Sequence, residues 1–229
     1  MRSDGCSSGW RWPGCQLTSR WWCWATTPWR ARAGLGHLVN GGVAVTVMRR
    51  VSVPVVLAPR GANVTWRADR PARILVPLDG SEHNEAVLPS VRQLAARIGA
   101  QLVLMRVVVR PPVLYVEALG FTAYDPQPRV TDARDYLDLI AARLRDKNID
   151  VRCRAEAGES AVATIVRVAQ EEYAGLVAIA THGRSGRTRA ILGSVTTGML
   201  HHGKTPLFVV RAALAETASA RGSRASGRL

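Results

Sequence analysis

The chain from residue 71 onward alternates short apolar runs with longer segments whose apolar residues recur every three or four positions. A short apolar run predicts a buried strand, and the longer period predicts an amphipathic helix. Because strands and helices alternate, we expect one α/β domain of Rossmann-like type, with a five-stranded parallel sheet and helices on both faces. The pattern predicts strands over 73–78, 101–109, 150–156, 176–180 and 206–210, and helices over 82–98, 131–147, 161–172 and 194–202.

A change in composition marks the boundaries of this domain. Residues 1–70 show neither period and hold all seven Trp residues of the chain, whereas residues 71–212 carry the predicted elements. We expect residues 1–70 to be either a disordered basic extension or a stretch outside the natural product, with Met48 as an internal start. The Ala, Ser, Gly and Arg residues that dominate 213–229 predict a disordered tail.

The formal net charge of +14 raises the question of a nucleic-acid partner. Most of the excess lies outside residues 71–212, so it does not form a basic stripe on the predicted domain. We do not expect the domain to bind nucleic acid, and a role for the basic N-terminal segment stays open. No Cys/His spacing is typical of zinc, and no unbroken apolar stretch reaches the about 20 residues of a membrane span. These features predict a reduced, cytoplasmic protein, with Cys153 packed in or beside a strand.

The candidate chemistry lies where the predicted strands end. In a parallel sheet, a ligand binds outside the carboxyl ends of the strands, where the strand order reverses. Those ends carry Asp79-Gly80, Arg106-Val107 and Thr181-His182-Gly183, and nine residues separate Gly183 from Gly193-Ser194 at a predicted helix start. Glycine backbone, free helix N–H groups and a serine hydroxyl suit a phosphate chain. A plain loop followed by a serine N-cap accounts for the same residues.

Taken in chain order, these motifs resemble the universal stress protein family over residues 71–211, and none of the likeness covers residues 1–70. The resemblance implies a fold of the adenine nucleotide α-hydrolase type and a role in the response to stress. It is carried by Ile74-Leu-Val-Pro-Leu-Asp-Gly-Ser81, Leu102-Val-Leu-Met-Arg-Val107, Ala178-Ile-Ala-Thr-His-Gly-Arg-Ser-Gly186, Leu192-Gly-Ser-Val195 and Thr205-Pro-Leu-Phe-Val-Val210.

The resemblance also implies a ligand, because some members bind ATP through a Gly-x2-Gly-x9-Gly-Ser/Thr pattern. This chain keeps the spacing but has Ala180 in place of the first glycine. By resemblance, Asp79 contacts the adenosine part, the backbone of Val107 pairs with the adenine edge, and the glycine-rich segment holds the ribose and phosphates of ATP with its Mg²⁺. The implied nucleotide-binding residues are Pro77, Asp79, Val107, Ala180, His182, Gly183, Arg184, Gly193, Ser194 and Val195.

Several of these residues keep two interpretations. Asp79 either contacts a ligand or caps the following helix, where with Glu82 it resembles a capping box. Arg106 stands where the family often has His, and it either reaches a phosphate or points to solvent. His182 either donates to a phosphate or shapes the turn. At Ala180 a positive φ would be costly for any residue with a Cβ.

We expect an ATP-binding regulator rather than an enzyme, because no Lys or carboxylate is placed to drive fast hydrolysis. The main alternative is a dimeric stress protein that binds no nucleotide and acts through protein partners, which Ala180 and Arg106 favour. A third possibility is an adenylating enzyme of the related hydrolase type, although such enzymes carry a Ser-Gly-Gly-x-Asp-Ser loop where this chain has Asp79-Gly-Ser81. By resemblance, a homodimer forms through the strand Leu207–Val210.

Overall fold

The computed structural model describes residues 22–24, 53–58, 71–111, 125–145, 148–181 and 193–211. These residues form seven strands and five helices. The strands are β1 (Trp22–Trp24), β2 (Val55–Leu57), β3 (Arg73–Pro77), β4 (Gln101–Val109), β5 (Val151–Gly158), β6 (Leu176–Thr181) and β7 (Leu207–Arg211). The helices are α1 (Glu82–Glu85), α2 (Leu88–Ile98), α3 (Gln127–Arg145), α4 (Ala161–Glu171) and α5 (Ser194–His202).

All seven strands belong to one sheet, in the order β1-β2-β7-β6-β3-β4-β5. The five strands β3 to β7 are parallel to one another, which confirms the Rossmann-like α/β class. The sheet has seven strands rather than the five predicted, because β2 and β1 extend it beyond β7. Of these two, β2 runs antiparallel to β7 and β1 runs parallel to β2. Each of these two strands has three residues, which is too short to display a hydrophobic period.

The helix predicted over 82–98 is divided into α1 and α2. Pro89 lies in the first turn of α2, and proline both lacks an N–H donor and disfavours helical backbone at the residue before it. The helix therefore starts anew at Leu88 instead of continuing from Glu82. Gly99, with φ of +62°, ends α2 directly after residue 98, where the predicted helix also ends. In the next helix, α3 begins at Gln127 rather than at residue 131.

Helices cover both faces of the sheet, because the central strands are apolar on both sides. One core lies under α2 and α3, and the other lies under α4 and α5. Burial of each large aliphatic side chain contributes about 1.5–3 kcal/mol. The first core includes Ile74, Val76, Leu102, Leu104, Leu137 and Ile140, and the second includes Leu75, Val103, Met105, Ile165, Val177 and Met199.

Cys153 lies in β5, as the sequence predicted. Its side chain is half-buried, and its thiol sits 3.5 Å from the carbonyl oxygen of Leu137. Burial, a hydrogen bond and the charge of Asp138 raise the pKa of the Cys153 thiol to about 11. The thiol is therefore protonated at neutral pH.

The strand order reverses at β3, and this reversal positions the site. From β3 the chain passes to β4 and β5 on one side, then returns to β6 and β7 on the other. A crevice consequently opens between the carboxyl ends of β3 and β6, where parallel sheets of this kind bind their ligands. The turn at Asp79 and the exit of β6 at Thr181 are thereby brought to the same edge of the sheet.

Candidate functional site

Asp79 lies in the turn that follows β3. Gly80 has φ of +90°, a conformation that glycine adopts at little cost and that turns the chain sharply from the sheet into α1. The Oδ1 atom of Asp79 accepts hydrogen bonds from the Ser81 backbone N–H at 2.9 Å and from the Ser81 hydroxyl at 2.6 Å. The helix cap itself is Ser81, whose Oγ accepts from the N–H of Asn84 at 3.3 Å. Asp79 is thus held at the crevice without serving as the cap.

These hydrogen bonds control the charge of Asp79. Partial burial raises its pKa, but the hydrogen bonds from Ser81 and Asn84 outweigh that effect and lower the pKa below its ordinary value. The carboxylate is therefore ionised at neutral pH. An exposed, ionised carboxylate is an acceptor for ligand hydroxyl or amino groups, and it would repel a phosphate.

The backbone of Val107 offers an open hydrogen-bonding edge beside this turn. The Met105 carbonyl faces β3 and accepts from the N–H of Leu78 at 2.7 Å. Since backbone groups alternate along a strand, those of Val107 face the same side as those of Met105. However, β3 ends at Pro77, which is level with Met105, so no described strand pairs with Val107 on that side. The N–H and carbonyl groups of Val107 on that side are therefore available to a ligand with one donor and one acceptor.

Arg106 takes a position that neither sequence interpretation anticipated. Its guanidinium packs against Gly80, where a Cβ would lie 3.1–3.3 Å from three guanidinium atoms, and its Cζ lies 5.0 Å from the centre of the Tyr136 ring. The Tyr136 hydroxyl donates to Glu85 at 2.9 Å, which holds the ring in place. Arg106 is thus half-buried between the β3 turn and α3, and among the described residues it forms no salt bridge within 4 Å.

The other wall of the crevice is built by β6 and α5. Ala180 is in β6 and has no positive φ, which among the described non-glycine residues occurs only at Asn148 and Tyr173. The alanine therefore imposes no backbone strain. Gly193 is the N-cap of α5, and it has no side chain with which to cap the helix. Among the described residues no side chain accepts from the first N–H groups of α5, which suit an anion, and the exposed Ser194 begins the helix beside them.

The structure describes some, but not all, of the predicted nucleotide-binding residues. Pro77, Asp79 and Val107 lie at the ends of β3 and β4, and Ala180 lies at the end of β6, while Gly193, Ser194 and Val195 begin α5. The predicted residues His182, Gly183 and Arg184 lie outside the described residues. Tyr136, in α3, is a residue that the sequence analysis did not assign to the site. Its contact with Arg106 has no local signal, because the two residues belong to separate elements.

A groove of about 610 Å³ lies elsewhere, on the outer surface between α4 and α5. Val162, Val166 and Arg167 line it from α4, and Gly198 and His202 line it from α5. None of the predicted nucleotide-binding residues that the structure describes borders this groove. Within the described part of the chain, no cluster of three His, Cys, Asp or Glu residues is arranged to hold a metal ion. No helix among the same residues is long and apolar enough to cross a membrane.

The fold defines a doubly wound α/β domain with a crevice at the carboxyl edge of its sheet. The sequence profile of the Universal stress protein family matches residues 72–211. The chain therefore belongs to the universal stress protein family, which confirms the resemblance seen in its motifs.

Relatives with the same family name occur in mycobacteria. The chain is 28% identical over 187 residues to a universal stress protein of Mycolicibacterium smegmatis, a match that covers 80% of this chain and 59% of that protein. It is 26% identical over 187 residues to Universal stress protein Rv2005c of Mycobacterium tuberculosis, covering 79% and 59% respectively. The chain thus spans less than two thirds of the length of these relatives.

Solved structures share the fold. A universal stress protein from Archaeoglobus fulgidus superposes with a TM-score of 0.53 at 19% identity, over 75% of this chain and 56% of the other. The hypothetical protein MJ0577 superposes with a TM-score of 0.51 at 23% identity, over 61% of this chain and 95% of the other. At these identities the likeness establishes the architecture.

Proposed function

We propose that this universal stress protein binds an adenine nucleotide, ATP with Mg²⁺, in the crevice between the carboxyl ends of β3 and β6, and acts in the cytoplasm as a nucleotide-dependent regulator. The observation that carries the proposal is the open backbone edge of Val107 beside the ionised Asp79. An adenine edge offers the donor and acceptor that such a backbone edge needs, and ribose hydroxyls suit the carboxylate. Family membership supports a role in the stress response.

The phosphates are assigned to the N-terminus of α5. Its uncapped N–H groups and the Ser194 hydroxyl favour negative charge through hydrogen bonds and the helix dipole. We assign the ionised Asp79 to the nucleoside part of the nucleotide, away from the phosphates that its charge would repel. In this arrangement the wall at β3 binds the nucleoside and the wall at α5 binds the phosphates.

We propose slow or no hydrolysis at this site. Lys204 is the one lysine among the described residues, and it follows α5 at the opposite end of the sheet. Fast phosphoryl transfer needs a cation or an oriented base at the transferred group. The carboxylate that is present, Asp79, is already engaged by two hydrogen bonds from Ser81.

Equilibrium dialysis of the full chain against millimolar MgATP tests the proposal, with thermal unfolding as a second readout. Ligand at about 100 times its Kd adds about 2.7 kcal/mol to the free energy of unfolding, so we expect the melting temperature to rise by several degrees. Gly193→Val, which adds bulk where the phosphates would lie, is expected to abolish the rise. Absence of bound ATP at millimolar concentration would refute the proposal.

Gly99→Ala is the matched control for this experiment. Gly99 follows α2 at the amino edge of the sheet, and a methyl group added there would meet no atom within 4 Å. Its φ of +62° makes alanine strained, so the substitution lowers the melting temperature itself. The rise that ATP produces should nevertheless stay as large as in the unchanged chain.

A second candidate function is a stress protein that binds no nucleotide. The position of Arg106 favours it, since the guanidinium lies against Gly80 at the edge of the crevice. In that case the unchanged chain binds no ATP, and Arg106→Ala is expected to gain ATP binding because the substitution removes the side chain that lies across the edge of the crevice. If neither the unchanged chain nor Arg106→Ala binds ATP, the arginine is not what closes the site.

A further inference from the structure

The outer edge of β5 has backbone groups with which no described residue pairs. β5 is the last strand on its side of the sheet, and it pairs with β4 along eight residues, none of which is proline. The carbonyl of Asp150, just before β5, faces β4 and accepts from the N–H of Leu102 at 2.8 Å. Backbone groups alternate sides along a strand, so those of Cys153, Ala155 and Ala157 face away from β4. Such a row of free N–H and carbonyl groups is a template for another strand.

The side chains along this edge leave room for that strand. The three outward-facing residues are small and only partly buried. At the start of the edge, the Val151 carbonyl accepts from the Arg145 guanidinium at 2.8 Å, which agrees with the outward direction of the odd-numbered residues. The free part of the edge therefore runs over residues 153–157.

A symmetric contact between two copies of β5 must satisfy the charges that the strand carries. Two identical strands that pair about a twofold axis run antiparallel, and one position lies on the axis. With Ala155 on the axis, Arg154 lies opposite the partner's Glu156, and opposite charges at facing positions stabilise a pair of strands. The same register puts Cys153 opposite the partner's Ala157, so outward-facing backbone groups meet outward-facing groups.

Other registers within this free edge oppose like charges or pair none. An axis at Arg154 or at Glu156 places that residue opposite its own copy. An axis two residues before Ala155 places Arg152 opposite the partner's Arg154, and an axis two residues after it pairs neither charge of the strand with its opposite. Like charges at facing positions destabilise a strand pair, so the charges of β5 select the register centred on Ala155.

We infer that the outer edge of β5 binds a second copy of this chain, through an antiparallel contact centred on Ala155 that continues the sheet from one chain into the next. The side chains of Arg154 and Glu156 are 26% and 20% exposed, and ion pairs with α4 hold both in place at this edge. The edge of β7, through which the family resemblance implies a homodimer, is a separate surface and pairs with β2.

Cross-linking at a single position tests the register in the full chain. In Cys153→Ser with Ala155→Cys, the introduced residues of two chains face each other with Cα atoms about 5.5 Å apart, and we expect a short thiol-specific cross-linker to join them. Ala157→Cys in the same Cys153→Ser chain is the matched control, because two copies of residue 157 lie about 13 Å apart along the strands, beyond the reach of the reagent. Peptide mapping separates these links from those of the three N-terminal cysteines. Equal linking at both positions, or at neither, overturns the register.

Removing one outward N–H tests whether the contact forms. Ala155→Pro deletes an N–H that has no partner among the described residues, and proline is tolerated on such an edge. We expect light scattering to give twice the 24.8 kDa of one chain for the unchanged protein and the mass of one chain for Ala155→Pro. Ala155→Ser keeps the N–H and should retain the doubled mass.

Two results refute the inference. One is a single-chain mass for the unchanged protein, and the other is a doubled mass that survives Ala155→Pro in a chain with native circular dichroism. If Ala155→Pro does not fold, the presence or absence of the 155–155 link decides.

Discussion

Ser81 illustrates how one side chain can serve both the fold and the site. Its hydroxyl donates to Asp79 and also accepts from the N–H of Asn84 at the start of α1. The first contact keeps the Asp79 carboxylate ionised, and the second caps a helix whose other end leads to Pro89. A residue that looks like an ordinary N-cap therefore also sets the charge at the crevice.

Ser81→Ala is expected to raise the pKa of Asp79 towards the ordinary value of an aspartate, because the largest compensation for its burial is lost. A carboxyl NMR titration measures this shift. With the folded pKa below the unfolded one, ionised Asp79 adds stability above the unfolded pKa, and that stability disappears as the pH falls through the folded pKa. In Ser81→Ala the folded pKa lies closer to the unfolded one, so this pH-dependent contribution to stability should become smaller.

Ser160→Ala provides the matched control for this prediction. Ser160 caps α4, with its Oγ accepting from the N–H of Ala163 at 3.4 Å, and it has no contact with Asp79. Its loss should cost about 1 kcal/mol of stability and leave the Asp79 titration unchanged. An equal shift of the Asp79 pKa in both variants would contradict the role assigned to Ser81.

At the scale of elements, the close approach of α4 and α5 depends on one glycine. A Cβ at Gly198 would lie 2.6 Å from a methyl group of Val162, which is closer than packed carbon atoms come. Glycine costs about 1 kcal/mol relative to alanine in an exposed helix, so its presence in α5 needs a packing reason. The contact with Val162 supplies that reason.

Gly198→Ala is therefore expected to destabilise the protein by about 1–3 kcal/mol through overpacking, although alanine is the better helix former. Denaturant unfolding measures the change. Combining it with Val162→Ala removes the opposing methyl groups and should recover part of the loss, as a double-mutant cycle would record. Stabilisation by Gly198→Ala alone would mean that the two helices separate freely.

At the scale of the whole molecule, a network of charges joins segments that are distant in sequence. Glu172, which follows α4 and has a side chain 16% exposed, accepts from Arg73 of β3 at 3.2 Å and from Arg154 of β5 at 3.0 Å. Arg154 also pairs with Glu156 and Glu171, both of which pair with Arg167. The network connects the amino end of the central strand with the edge strand and with α4.

Glu172→Gln should lower the free energy of unfolding by about 1–3 kcal/mol, because it leaves two partly buried guanidinium groups without their shared carboxylate. Urea unfolding at low and high salt measures the effect. Arg134→Gln is the comparison, since the Arg134–Asp138 pair is more than half exposed on both sides and should contribute at most about 0.5 kcal/mol, which salt removes. Equal effects of the two substitutions would show that burial of the network adds nothing.

Most of the fold could be predicted because the signals are local. Local patterns predict which side chains are buried, as in the apolar runs of β3, β4 and β6 and in the period of the helices. The predicted helix over 82–98 also ends where the structure has Gly99 as the end of α2. Pro89 was a visible signal as well, and it divides the helix that periodicity alone predicted as one. The residues Asp79 and Val107 could be proposed as neighbours because parallel strands bring their carboxyl ends to one edge.

The tertiary structure alone decided which distant groups meet. Arg106 rests on Gly80 and Tyr136 because β3, β4 and α3 converge there, and no period along the chain encodes that convergence. The pairing of β2 with β7 depends on a register between segments at opposite ends of the chain. The sequence by itself determined the elements and the edge that carries the site, because burial of each side chain follows a local pattern. Contacts between elements were decided by packing in three dimensions, where complementary shape and charge must coincide across the whole domain.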